Sequence, residues 1–194
     1  MKLSLSFLIL FLLFSGFSLD EQEVKIEVQI SAEELKLYNL LMEYRKQKNL
    51  PSIPLSKSLT YVAQLHCKDL VENKPHLKTG CNMHSWSNKG KWTACCYTDD
   101  HKQSAKMWSK PKELTSYTDA GYEIAFGTEG FTATAQNSLA GWKSSKGHNA
   151  VIINQAPWNV MKWNAIGVGI HEGFAMVWFG VAPDAEGEPE KPTK

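Results

Sequence analysis

The stretch that decides the fold is residues 165–179, which read Ala-Ile-Gly-Val-Gly-Ile-His-Glu-Gly-Phe-Ala-Met-Val-Trp-Phe. Two apolar runs, residues 165–170 and 174–179, flank His171-Glu172-Gly173, and this pattern predicts a β-hairpin with a tight turn. Apolar side chains fall on both faces of the hairpin, so helices should cover both faces. The sequence therefore predicts an α+β domain, a three-layer α-β-α sandwich with a small, mainly antiparallel sheet.

Two helices are predicted ahead of the hairpin, in residues 31–48 and 56–73. Ser31 and Glu34 form the Ser-x-x-Glu pattern in which each side chain accepts a hydrogen bond from the other residue's backbone N–H. The second helix carries His66 on its apolar face, where a packed side chain is the expectation.

The remaining segments are less regular. Residues 74–100 are rich in Asn, Gly, Ser, Lys and Trp, which is typical of a loop. A short helix interrupted by Pro111 is predicted between residues 103 and 114, and another helix over residues 130–145. Residues 183–194 contain Glu, Pro, Lys and Gly but little to bury, so they are predicted to form a disordered tail.

The overall composition fits one near-neutral globular domain. The chain has 194 residues, with 21 Lys and Arg against 20 Asp and Glu, and a formal net charge of +1. A single domain commonly has about 100–200 residues. Because the sequence has no block of basic residues, a nucleic-acid binder is not expected.

The first residues have the pattern of a secretory signal peptide. Lys2 precedes an apolar run, and small residues lead to a predicted cleavage near Ser18. The run is short for a membrane span, which needs about 20 apolar residues, so no stable span is expected after cleavage. The predicted layout is a signal peptide in residues 1–18, an extended lead-in in 19–31 and the domain in 32–182. The protein is predicted to be secreted or periplasmic, and the sequence does not separate the two.

Export changes the interpretation of the four cysteines, Cys67, Cys81, Cys95 and Cys96. An oxidising compartment favours structural disulfides. Joining the adjacent Cys95 and Cys96 requires a strained ring, so two pairings stay open, each tying Cys67 and Cys81 to the Cys95-Cys96 dipeptide. A metal cluster of the four thiols is the alternative, but the spacing lacks a Cys-x-x-Cys pair.

A candidate site is formed by His84, Glu123 and His148. Both histidines occur in irregular segments near Trp, and Glu123 lies in an apolar run where a carboxylate needs a partner. Two imidazoles and a carboxylate suit a divalent metal such as Zn²⁺, and a hydrogen-bonded polar cluster is the alternative. A nucleophilic Ser144 or Ser145 near His148 is disfavoured, because the Gly-x-Ser-x-Gly pattern is missing.

Several segments resemble the CAP superfamily, the cysteine-rich secretory, antigen 5 and pathogenesis-related-1 proteins, in its shorter bacterial-type form. Gly121-Tyr-Glu-Ile-Ala125 resembles the family's Gly-Glu-Asn-Ile-Ala element. Residues 142–153, Trp-Lys-Ser-Ser-Lys-Gly-His-Asn-Ala-Val-Ile-Ile, resemble Trp-x-x-Ser-x-Gly-His-x-x-Asn-Ile-Leu. Residues 165–170 match the strand that follows, and residues 37–51 resemble the opening helix and its continuation. The resemblance covers about residues 32–182.

The resemblance implies an α-β-α sandwich and a cleft with two histidines and two acidic residues, which in some members holds a divalent metal. Carried over, His84 is the first histidine, Glu123 the first acid and His148 the second histidine. The second acid is missing, because Ser145 stands at its position. A long insert between His84 and Glu123 makes His101 the alternative to His84.

Two functions that use the cleft follow from this sequence, and a third hypothesis is an extracellular stress or envelope protein whose cleft is vestigial. The first is a non-catalytic binding module. Its His/Glu cleft holds a divalent metal, a small ligand or a lipid, or contacts an extracellular protein. The loss of one acidic residue favours this function, because acid–base catalysis uses two groups with separated pKa values. The alternative is a metal-assisted extracellular hydrolase, with Glu123 as the catalytic base. Trp86, Trp142 and Trp158 are predicted either to line the cleft or to pack in the core.

Overall fold

A computed structural model describes residues 27–128 and 130–193, so the predicted signal peptide in residues 1–18 lies outside the described residues. No helix in the described ranges is both long enough and apolar enough to cross a membrane. In chain order the helices and strands are α1 (Ala32–Gln47), α2 (Lys57–Asn73), α3 (Ser104–Trp108), α4 (Lys110–Leu114), β1 (Gly121–Gly127), α5 (Ala135–Ser144), α6 (Lys146–Ile152), β2 (Ala165–His171) and β3 (Phe174–Gly180).

The three strands form one antiparallel sheet in the order β1-β3-β2. The predicted hairpin is confirmed as β2 and β3, with Ile166 opposite Phe179 and Val168 opposite Val177. The third strand, β1, covers the run that contains Glu123, and Glu123 lies opposite Trp178 of β3. The predicted class, a mixture of helices with a small antiparallel sheet, is therefore confirmed.

Helices cover both faces of the sheet, because both faces are apolar. Side chains alternate between the faces along each strand. One face packs against α2, and its buried residues include Leu59, Val62, Ala63, Leu70, Ala125, Ala165, Met176 and Trp178. The other face packs against α1 and α5, and its buried residues include Leu37, Leu41, Ile124, Leu139, Trp142, Ile166, Val168, Val177 and Phe179.

Two glycines let α2 lie directly on the hairpin. A Cβ atom built on Gly167 would lie 2.0 Å from the carbonyl carbon of Leu59. A Cβ atom built on Gly169 would lie 2.4 Å from the carbonyl carbon of Ala63. The backbone of α2 therefore contacts the backbone of β2 at two points one helical turn apart.

The start of α1 agrees with the predicted cap, whereas the short helix before β1 differs from its prediction. Ser31 and Glu34 form the expected reciprocal pair: Ser31 N–H donates to Glu34 Oε2 at 2.8 Å, and Glu34 N–H donates to Ser31 Oγ at 3.2 Å. The helix predicted across residues 103–114 is instead the two short helices α3 and α4, which meet at Ser109. Pro111 lies in the first turn of α4, where its missing N–H costs no helical hydrogen bond.

Residues 183–193, which belong to the predicted disordered tail, contact the folded domain at two places. Asp184 accepts hydrogen bonds from Ser56 Oγ at 2.6 Å and Ser58 N–H at 2.8 Å, at the start of α2. Glu190 pairs through its backbone with the strand-like residues 28–30. These contacts use backbone groups and one carboxylate, so the low apolar content of the segment does not prevent its docking.

One disulfide is present among the four cysteines. Cys81 and Cys96 are bonded at an S–S distance of 2.03 Å, which belongs to one of the two predicted pairings. The same pairing would also join Cys67 to Cys95, but both of these cysteines are free and buried. Cys67 Sγ donates to the carbonyl of Gly169 at 3.4 Å. Burial raises the pKa of both free thiols, so neither is an activated nucleophile.

Candidate functional site

Glu123 is the centre of the candidate site. It lies in the middle of β1, and its side chain points to the face that α2 covers. His66 reaches the same face from α2, and the side chains of both residues are 0% exposed. A carboxylate removed from water in this way requires hydrogen-bond partners.

Each oxygen of Glu123 contacts one imidazole. His66 Nδ1 lies 2.5 Å from Oε2, and His84 Nδ1 lies 2.8 Å from Oε1. The second ring nitrogen of His66, Nε2, lies 3.0 Å from the carbonyl oxygen of Ser85. The ring of Trp86 stacks on His66, with 4.2 Å between centroids and 9° between planes. Glu123 is therefore held between α2 and the loop that carries His84.

The loop around His84 is anchored to α2 and to the strand-like segment that follows it. Asp69 of α2 accepts from Ser87 N–H at 2.8 Å and from Ser87 Oγ at 2.5 Å. Trp86 and Cys95 exchange backbone hydrogen bonds. Tyr97 N–H donates to Ser85 Oγ at 2.9 Å. These bonds hold Ser85, Trp86 and Ser87, the three residues directly after His84, and so restrict the position of its ring.

His148 is the third predicted residue of the site, and it lies in α6. Burial lowers its pKa, the nearby imidazole of His84 lowers it further, and Glu123 acts in the opposite direction. His148 is therefore within electrostatic range of both residues. Its half-buried ring makes no hydrogen bond to any residue that the structure describes.

His101, the alternative to His84, has a different position. Its Nδ1 lies 2.8 Å from the hydroxyl of Tyr97, and the ring of Tyr97 meets the ring of His84 edge-on at 5.3 Å. His84 contacts Glu123 directly, whereas Tyr97 separates His101 from it.

The three tryptophans predicted either to line the site or to pack in the core have different roles. Trp86 is 2% exposed and stacks on His66, so it belongs to the site. Trp142 packs in the core on the opposite face of the sheet and donates from Nε1 to the carbonyl of Ala125 at 2.9 Å. Trp158 packs against Tyr122 on that same face.

The charge balance around Glu123 favours the carboxylate form. Burial raises the pKa of Glu123, but the positive charge of His66 and the hydrogen bonds from His66 and His84 outweigh burial. The pKa is therefore held below its ordinary value of 4.5. The result is a buried carboxylate that depends on its two histidine partners.

The described residues do not fit a resident metal ion that Glu123 would ligate. Among them, no group of three or more His, Cys, Asp or Glu side chains could hold a metal. Zinc usually takes four protein ligands in structural sites and three in catalytic sites. Both oxygens of Glu123 already face imidazole nitrogens. Of the three residues predicted to form the site, His84 and His148 remain as exchangeable ligands.

His66, the third member of this cluster, was predicted from the sequence to be a packed side chain. It is buried as expected, but its two ring nitrogens both form polar contacts. A signal for it was available: a histidine on the apolar stripe of α2 faces the sheet, and Glu123 is the carboxylate on a strand of that sheet. Linking the two required the contact between α2 and β1, which local periodicity does not give.

The lowered pKa of His148 predicts a specific loss of stability in mild acid. The ordinary pKa of histidine is 6.5, so below this pH His148 takes up a proton in the unfolded chain but not in the folded chain. The free energy of unfolding therefore falls as the pH drops from 6.5 to the lowered pKa of the folded chain. Urea unfolding across this window will give a flatter pH dependence for His148→Gln than for the parent chain. Ser145→Ala, which alters a neighbouring residue that does not titrate, will keep the parent slope; a flattened slope there would contradict the assignment.

Comparison with known proteins identifies the family to which these features belong. The model of the Cysteine-rich secretory protein family, CAP, matches residues 38–173. None of the curated proteins matches the chain.

Solved structures share the fold at low sequence identity. An outer surface protein from Borrelia burgdorferi is 18% identical with a TM-score of 0.51, covering 78% of this chain and 94% of that one. An extracellular protein containing a SCP domain from Bacillus anthracis is 17% identical with a TM-score of 0.50, covering 76% of this chain and 39% of that one.

Proposed function

Because the chain belongs to the cysteine-rich secretory protein (CAP) family, we propose that it is an exported, non-catalytic binding module. Its ligand contacts His84 and His148, beside a Glu123 that serves to hold the site together. Export is supported by the predicted signal peptide. It is also supported by a structural neighbour described as an extracellular protein.

The main support for this proposal is that both carboxylate oxygens of Glu123 already contact histidine side chains. A catalytic base needs a lone pair that a substrate can reach, within hydrogen-bond distance of the proton that it removes. The side chain of Glu123 is 0% exposed, and each oxygen already faces an imidazole nitrogen. The hydrolase hypothesis assigned the base to this residue, so the geometry favours binding over hydrolysis.

Two imidazoles are the groups available to a ligand. His84 Nε2 and the ring nitrogens of His148 make no hydrogen bond within the described ranges, and none is among the buried unpartnered atoms. Neutral imidazole nitrogen both donates and accepts hydrogen bonds and also binds metal ions. A small ligand, a lipid head group or an extracellular protein could therefore bind through this pair.

The test uses Zn²⁺ as a probe of the two imidazoles. Calorimetric titration of the oxidised chain without its predicted signal peptide should give weak, exchangeable binding, since two histidines are fewer ligands than a resident zinc site uses. His148→Ala should abolish that binding, and Ser145→Ala, the matched control beside it, should retain it. The same preparations should not hydrolyse a casein substrate.

Two outcomes would overturn the proposal. Hydrolysis that disappears in Glu123→Gln would show that the carboxylate acts as a base and would favour the hydrolase. Zinc binding that survives His148→Ala unchanged would show that the two histidines do not form a common site.

A further inference from the structure

The surroundings of His66 determine where the protons in the site lie. The carbonyl oxygen of Ser85 can only accept, so His66 Nε2, 3.0 Å away, carries a hydrogen. His66 Nδ1 and Glu123 Oε2 are 2.5 Å apart, a distance at which two lone pairs would repel each other. One proton therefore lies in that contact, on either atom.

The proton between His66 and Glu123 determines which atom donates in the contact between Glu123 and His84. Whichever atom of the His66–Glu123 contact carries it, Oε1 of Glu123 is left without a proton and acts as an acceptor. His84 Nδ1, 2.8 Å from Oε1, must then donate. A neutral imidazole has one N–H, so Nε2 of His84 carries a free lone pair.

We infer that His66 is a positioning residue that fixes His84, through Glu123, in the tautomer with hydrogen on Nδ1 and an open acceptor at Nε2. This inference rests on the proposed function only in assigning Nε2 to the ligand. The ligand is then recognised through an electron-poor group, an O–H or N–H donor, and not through an anionic group.

His66 is needed because Glu123 is buried. Without a partner at Oε2, a buried carboxylate takes up a proton. A protonated Glu123 can donate from Oε1 to His84 Nδ1, which would force the hydrogen of His84 onto Nε2 and remove the acceptor. The stacked Trp86 holds the ring plane of His66, so that Nδ1 and Nε2 face Glu123 and Ser85 together.

The proton positions can be measured directly by NMR on the whole oxidised chain labelled with ¹⁵N-histidine. Two-bond ¹H–¹⁵N correlation spectra at neutral pH separate protonated from unprotonated ring nitrogens. The expected pattern is a protonated Nε2 on His66, and on His84 a protonated Nδ1 with an unprotonated Nε2. Signals are assigned by their loss in His66→Gln and His84→Gln. A hydrogen on His84 Nε2 would overturn the inference.

Two variants of His66 separate positioning from packing. His66→Gln keeps an N–H donor for Glu123, so the His84 pattern should persist. His66→Leu removes the donor, so the protonated Nδ1 signal of His84 should be lost. His171→Gln, at the exposed end of β2, is the control and should leave the His84 signals unchanged. An unchanged His84 pattern in a folded His66→Leu would also overturn the inference.

The measurement is independent of the test of the proposed function. The tautomer is observed without any ligand, so a failure to bind Zn²⁺ leaves it intact. Conversely, zinc binding together with a hydrogen on His84 Nε2 in the free chain would contradict this inference alone. If His66→Leu does not fold, the spectrum of the parent chain still decides.

Discussion

Glu123→Ala will lower the free energy of unfolding by about 3–5 kcal/mol, the usual effect of removing one member of a buried hydrogen-bonded charge pair. The substitution leaves His66 Nδ1 and His84 Nδ1 without their acceptor, and His66 is fully buried. Urea unfolding at neutral pH measures the loss. Ser145→Ala, which changes a half-exposed residue between α5 and α6, should alter stability by less than about 0.5 kcal/mol.

A second variant keeps this prediction measurable if the alanine variant does not fold. Glu123→Gln preserves the shape of the side chain and one acceptor oxygen, so one imidazole keeps its partner. Its loss of stability should lie between those of Glu123→Ala and Ser145→Ala. Equal stabilities for Glu123→Ala and Ser145→Ala would show that the carboxylate does not hold the site together.

The parts of the fold that follow from local sequence were predictable. The reciprocal cap of Ser31 and Glu34 sets the start of α1 within four residues of chain. The hairpin needs only two apolar runs and a short turn. The strand β1 was not predicted, because it is defined by pairing with β3, whose residues lie far along the chain. Its apolar residues alone do not distinguish it from a buried segment of another kind.

The site was predictable in part for the same reason. The need of Glu123 for a histidine partner follows from placing a carboxylate among apolar residues. The identity of the partners depends on which elements meet β1, and this is a tertiary contact. The sequence therefore proposed His84 with His101 as the alternative, and assigned His66 to packing, whereas the fold brings His66 and His84 to opposite oxygens of one carboxylate.

The position of α2 on the sheet links the core to the site. This helix carries His66, supplies Asp69 to the loop that bears His84, and lies on β2 without intervening side chains at Gly167 and Gly169. A change in the distance between α2 and the sheet would therefore displace His66 from Glu123, even if no residue of the site were altered. Core packing and site geometry are coupled through this one helix.

Gly169→Ala should test that coupling with a large effect. The added Cβ would lie 2.4 Å from the carbonyl carbon of Ala63 and 2.5 Å from the backbone nitrogen of Gln64, and helix backbone cannot move aside as a flexible side chain does. The expected loss is about 3 kcal/mol or more, the upper range for overpacking a core. In the folded fraction, the His84 tautomer signals should broaden or shift, since α2 is displaced.

The matched control for Gly169→Ala is Gly147→Ala. A Cβ at Gly147 of α6 meets nothing within 4 Å, and alanine favours a helix over glycine. Stability should stay the same or rise by up to about 1 kcal/mol, and the His84 signals should not change. If Gly169→Ala were as stable as Gly147→Ala, α2 would not be in backbone contact with the hairpin, and the proposed coupling of core and site would fail.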